Sequence, residues 1–135
     1  MDYLKLPDDN NYAEDSSFSY GLEERLVNFA VSIVDFTAKF RKDQISLYYM
    51  DQLIRSSSSA ALNFGESRGT VTHKDYMYKI SLVLKELNES NVCLKILSRT
   101  TCFKEYFENE SILKEANELV SIFFSSLKKL RAKNG

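Results

Sequence analysis

Glycine and proline are nearly missing from this chain, with four and one respectively in 135 residues. That scarcity argues against a turn-rich β fold, which needs such residues at its corners, and favours long uninterrupted helices. Histidine occurs once, as His73, and cysteine twice, as Cys93 and Cys102. Neither set has metal-ligand or redox spacing, so the thiols read as reduced structural residues, which suits the cytoplasm. No apolar run approaches the roughly 18 residues of a membrane span. The chain opens on Asp2 rather than on a basic segment leading into an apolar one, so no secretory signal is expected.

Catalytic constellations are missing too. The sequence has no glycine-rich phosphate loop, no Ser-His or Cys-His arrangement and no zinc-binding histidine motif. Di-metal bundles need Glu-x-x-His pairs on facing helices, and Thr70 stands three residues before His73. Glu86 and Glu89 lie three apart, but carboxylates so spaced on a helix usually serve as salt-bridge partners. The serines from Ser56 to Ser59 form a run rather than a nucleophile elbow. The expectation is a soluble protein that is not an enzyme and carries neither metal nor cofactor.

What is present is ordinary in amount and informative in pattern. Hydrophobic residues make up 44% and charged ones 27% of the chain, as in a soluble globular domain with a core of its own. The net charge of −1 is unevenly spread. Residues 1–20 sum to −4 and the remaining body to +3, well short of the excess of a dedicated nucleic-acid binder.

Residues 1–20 read as a flexible acidic tail that could dock through Tyr3, Leu4 and Leu6. The periodic domain covers 21–133. Leu22, Leu26, Phe29, Ile33, Phe36 and Phe40 alternate steps of 4 and 3, an amphipathic first helix. A second helix is expected from about Ile45 to Ser67, on Tyr49, Leu53, Ala60 and Phe64. After Gly69, Thr72 and Asp75 resemble a capping box that opens a third helix, from His73 to about Ser98. Its stripe is Tyr76, Ile80, Val83, Leu87, Leu94 and Leu97, with Ser90 as the polar member. Phe103, Tyr106 and Phe107 belong to a connector whose rings plug one end of the core. A fourth helix, from about Ser111 to Ala132, carries Leu113, Ala116, Val120, Phe123, Leu127 and Leu130. Four such helices with short links bury their stripes most simply as an all-α, antiparallel up-down four-helix bundle.

Inside the second helix runs a polar stripe. Gln52, Arg55, Ser59, Asn63 and Glu66 share one face, beside a stretch from Ser56 to Ala61 that holds only Ser and Ala. Polar groups in such a helix must be paired. The spacing suggests a buried Arg55 satisfied by Glu66, or by Glu86 or Glu89 across the interface. The competing reading is a small-molecule site in the core, which the lack of metal ligands and nucleophiles disfavours.

A second group is electrostatic. In an up-down bundle one pole would gather Arg25, Arg68, Lys74, Lys128, Lys129, Arg131 and Lys133, a candidate contact for phosphates. Basic residues in a last helical turn also complement the helix dipole without any ligand. Aromatics do not interleave with these cations in the sequence, so a base-stacking platform is not indicated. Tyr48, Tyr49, Tyr76 and Tyr78 cannot all face one core, and Val27, Val31 and Val34 point away from it; such outer faces suggest self-association.

The run from Gln52 through Arg55-Ser56, Ser59 and Asn63 to Glu66 resembles the signature of the bacterial four-helix-bundle proteins named for the intervening sequences of large-subunit ribosomal RNA. Lys85-Glu86 with Glu89 looks like that family's acidic element, and the likeness extends over about residues 22–131. The chain departs from the pattern at Ser67, where Gly is common, in its longer acidic N-terminus and in a first link without Pro. The resemblance implies a compact bundle that assembles as a ring-like homopentamer without known enzymatic activity. A related branch, the accessory proteins of diversity-generating retroelements, works with a reverse transcriptase and nucleic acid through a basic surface. The partners implied are the chain itself and RNA or a nucleic-acid-processing protein, with no membrane.

Overall fold

The computed structural model describes residues 16–134, with side-chain surroundings from 19 to 133. Four helices follow one another: α1 (Ser16–Ala38), α2 (Gln44–Ser67), α3 (His73–Arg99) and α4 (Ile112–Asn134). A short 3-10 turn, Lys104–Phe107, lies between the last two. The expected tail with Tyr3, Leu4 and Leu6 lies outside the described residues up to position 15. Its last part does not: α1 starts at Ser16, so residues 16–20 are helical. Phe18 alone continues the apolar spacing back from Leu22, which is why the earlier turn was not visible as helix.

The helix starts have identifiable chemistry. Asp43 caps α2, accepting the Ser46 backbone N–H at 2.9 Å, while its own N–H donates to the Ser46 hydroxyl at 3.0 Å. The helix it opens starts at Gln44, one residue ahead of the expected start, and the box has Ser in place of the usual Glu as its second member. The Ser46 N–H, then its hydroxyl and the Arg41 guanidinium, hold the Asp43 carboxyl below its ordinary range. At α3 the Thr72 hydroxyl accepts the Asp75 N–H at 3.0 Å, which makes it a one-sided cap. Before α4, Asn109 takes a left-handed conformation at φ 61°, which Asn tolerates better than most residues.

The core follows the periodicity. All six apolar positions of the α1 stripe are buried, as are Leu53, Ala60 and Phe64 of α2 and the α3 stripe including Ser90. On α4 the seam differs by a slight rotation: Ile112 and Leu119 are buried, whereas Leu113 and Val120 are half-buried on its flank toward α3. Either pair satisfies a 3–4 spacing, and only the neighbouring helices choose between them. Phe64 and Phe123 meet edge to face across the bundle, with centroids 5.5 Å apart. At one pole the connector does plug the core: Phe103 is buried, and Phe36, Phe40, Phe103, Tyr106 and Phe107 form ring contacts of 4.8–5.2 Å.

Cross-links between helix ends fix the antiparallel course. Arg68 at the end of α2 bonds Glu23 near the start of α1. The His73 ring bonds the Leu130 carbonyl at 3.0 Å, joining the start of α3 to the end of α4. Lys39 reaches Glu110 at 2.9 Å at the opposite pole. At Gly65 the Glu23 side chain of α1 lies over α2: a Cβ there would stand 3.2 Å from the Glu23 carboxylate. The architecture is the antiparallel up-down four-helix bundle.

Burial pushes the Tyr76 hydroxyl up to about 12. In the unfolded chain a tyrosine ionises near pH 10, so the contribution of Tyr76 is complete below that pH. It is lost as pH rises toward about 12, an effect of roughly 2–3 kcal/mol. Urea denaturation between pH 9 and about 12 should therefore show a decline in stability that is shallower in Tyr76→Phe; equal slopes would contradict this.

Candidate functional site

The polar stripe of α2 lies along α3, its most extensive neighbour in the bundle. Small side chains make the approach possible: Ser56, Ser57 and Ala60 are fully buried. The hydroxyls of Ser56 and Ser90 stand 2.6 Å apart across the interface, so each buried oxygen has a partner. Ser57 also donates to the Ile54 carbonyl at 3.4 Å. Asn63 turns back along its own helix and donates to the Ser59 carbonyl at 2.9 Å.

Arg55 reaches across to α3. It contacts Glu86 at 3.3 Å and Glu89 more closely, and it touches Gln52 at 3.4 Å. The hydrogen bond to Glu89, with the charges of Glu89 and Glu86 behind it, holds the guanidinium above its ordinary value. The facing-acid pairing expected from sequence is present, but its setting differs. The Arg55 side chain is 46% exposed, and the buried member is Glu86, only 8% exposed. Glu66 does not meet Arg55 at all. Eleven residues along a helix separate them by about 16 Å, and Glu66 lies on the surface, paired with Lys79 at 2.7 Å. The stripe is a set of local pairs along one interface.

The basic pole is sorted by its partners. Arg25 lies about 14 Å along α1 from Ser16 and is not at the pole. It bonds Glu115 at 2.8 Å and Glu118 at 3.0 Å on α4, and the Glu115 bond chiefly raises its pKa. Arg68 is at the pole but is held by Glu23, and its guanidinium stacks 4.3 Å over the Tyr20 ring. Lys74, Lys128 and Arg131 are exposed and form no ion pair among the described residues. Helical geometry divides the α4 cations: Lys128 and Arg131 line the groove toward α3, while Lys129 and Lys133 project from the other flank.

Two features were not visible in the sequence. Neither Glu115 nor Glu118 advertises that it neutralises Arg25, 90 residues or more away in the chain. The second is aromatic. Phe124 precedes Lys128 and Arg131 by four and seven residues, and in the structure it lies in one groove with both of them and with Lys85. The expectation that no aromatic stands among the cations is corrected here; the i, i+4, i+7 spacing was the available signal. Among the described residues no cluster of three or more His, Cys, Asp or Glu could hold a metal ion. No described helix is long and apolar enough to cross a membrane.

These features define an all-α up-down bundle with a paired polar seam between its second and third helices. The model of the 23S rRNA-intervening sequence protein family matches residues 22–125, and the chain belongs to that family. The fold is similar to the crystal structure of a protein of unknown function from the S23 ribosomal protein family of Bacteroides thetaiotaomicron. The two are 27% identical with a TM-score of 0.68, covering 82% of this chain and 97% of that one. No curated protein matches the chain. The family match ends before Lys128, so Lys128, Lys129, Arg131 and Lys133 lie beyond it.

Because Glu86 is buried and Arg55 is not, Arg55→Leu should destabilise the bundle by about 1–3 kcal/mol, between the values for surface and buried pairs. Urea denaturation measures this. Replacing Glu86 by Leu as well should recover part of the loss; a double variant weaker than both singles would contradict the pairing.

Proposed function

We propose that this protein is a non-enzymatic bundle that works as a homo-oligomer, a pentamer by its family resemblance, and contacts RNA or a ribonucleoprotein through the pole. The observation that carries the contact is the local charge balance. Arg25, Arg55, Arg68 and Lys79 are each held by carboxylates, whereas Lys74, Lys128 and Arg131 are exposed without an acidic partner among the described residues. Cations left in this condition attract phosphates, and the counterions displaced on binding supply the affinity. The name of the family adds support, since it ties the fold to ribosomal RNA genes.

Assembly rests on a different surface. Val27, Val31 and Val34 of α1 and Leu47 and Leu62 of α2 are exposed, and these two antiparallel helices are in contact. Tyr48 and Tyr78 add exposed rings, while Tyr76 is buried and Tyr49 half-buried. An apolar face of this kind is suited to a subunit interface. The same face also favours a second reading, an interaction assembly with no nucleic-acid role.

Two measurements bear on this. Light scattering should give a mass several times that of the chain, reduced toward the monomer by Val31→Glu with Leu62→Glu; a monomeric parent at high concentration would remove the assembly. Structured RNA should be retarded at low salt, and Lys74→Glu, Lys128→Glu and Arg131→Glu together should abolish this, with affinity falling steeply as salt rises. No retardation of the parent at low salt leaves the protein-interaction reading in its place.

A further inference from the structure

The groove between α3 and α4 has about 630 Å³ of open space and is lined by Ser81, Leu84, Lys85, Asn88, Phe124, Leu127, Lys128 and Arg131, with no acid among them. Its composition is unusual for this molecule. Phe124 is 60% exposed, although every other phenylalanine between residues 19 and 133 is buried or half-buried. Lys85, Lys128 and Arg131 surround it and form no ion pair among the described residues. On α4, Phe124, Lys128 and Arg131 occupy one face over two turns, about 10 Å.

We propose that this groove binds single-stranded RNA, with a base stacked on Phe124 and the adjoining phosphates held by Lys85, Lys128 and Arg131. The inference rests on the RNA-contact reading and narrows it to a strand type and a site. Single-strand sites combine a cationic track with aromatic faces, because every base offers a π surface once it is unpaired. A duplex hides its bases and has no use for an exposed ring. An acidic amphipathic helix would need several apolar anchors at helical spacing, and here Phe124 is the one strongly exposed apolar side chain, with Leu127 buried and Leu84 half-buried.

Fluorescence anisotropy with a short labelled oligoadenylate, and with a duplex as control, tests the site. Phe124→Ala should weaken oligoadenylate binding about tenfold, Phe124→Trp should retain it, and duplex binding should not change. Lys85→Gln should lower the salt dependence of single-strand binding by roughly one phosphate contact. Phe124 is exposed, so melting temperatures of these variants should match the parent and rule out unfolding. If Phe124→Ala and Lys85→Gln bind oligoadenylate like the parent while the charge reversals at the pole still abolish RNA retardation, the groove is wrong and the pole reading stands. If the parent binds neither probe, both fall. Tighter binding of a polyglutamate peptide than of oligoadenylate, lost in Phe124→Ala, would overturn the proposal by assigning the groove to an acidic protein segment.

Discussion

The hydroxyl oxygens of Ser56 and Ser90 lie 2.6 Å apart inside the bundle, and that contact governs how near α2 and α3 run to each other. Larger side chains at either place would separate the helices. Leucines would bury more apolar surface, but they would also move Glu86 out of reach of Arg55. The close pairing leaves Ser56, Ser57 and Ala60 buried at one side of α2, while Gly65 leaves room for the Glu23 side chain of α1 near the other end. The long stripes of α1, α3 and α4 then fill the remaining volume, with Phe64 against Phe123 between the pairs. Polar atoms are accepted in this seam because they are paired, Ser56 with Ser90 across it and Ser57 and Asn63 with carbonyls of their own helix.

A second consequence of the packing is a division of the positive charge. Where two helices face each other closely, cations are matched: Arg55 with Glu86 and Glu89, Arg68 with Glu23, Arg25 with Glu115 and Glu118. Beyond the seams, Lys85, Lys128 and Arg131 are left facing solvent beside an exposed ring. Paired charges hold the helices in register and offer little to a ligand, since each is already compensated. The uncompensated ones produce the local field that a polyanion would meet. A modest overall charge thus conceals a sharply sorted surface.

Much of the bundle was legible in the sequence because its helices are long and their stripes regular. The α1 and α3 cores are occupied by the residues that the spacing names, and the Thr72 cap and the aromatic plug of Phe103 stand where expected. The first turn of α1 was not legible, since Phe18 alone continues the apolar spacing back from Leu22 and it stands among serines. Nor was the choice of Leu119 over Val120 on α4, because both fit the same alternation. The stripe from Gln52 to Glu66 was recognisable as one face, yet its exposure was misjudged. Period fixes which residues share a side of a helix, and says nothing of how deeply that side is buried.

From the sequence alone come the four helices, their order and the membership signalled by the α2 stripe, since these depend on local spacing and on residue types. Partnership came only with the tertiary structure. Arg55 and Glu66 share a helix face but lie three turns apart, whereas Arg25 and Glu115, 90 residues apart in the chain, touch. Of the cations assigned to one pole, Arg25 and Arg68 are neutralised by carboxylates, whereas Lys74, Lys128 and Arg131 form no ion pair among the described residues, and Phe124 lies in one groove with the last two. Electrostatic and stacking interactions depend on distance in space, and distance between separate helices is set by packing rather than by position in the chain.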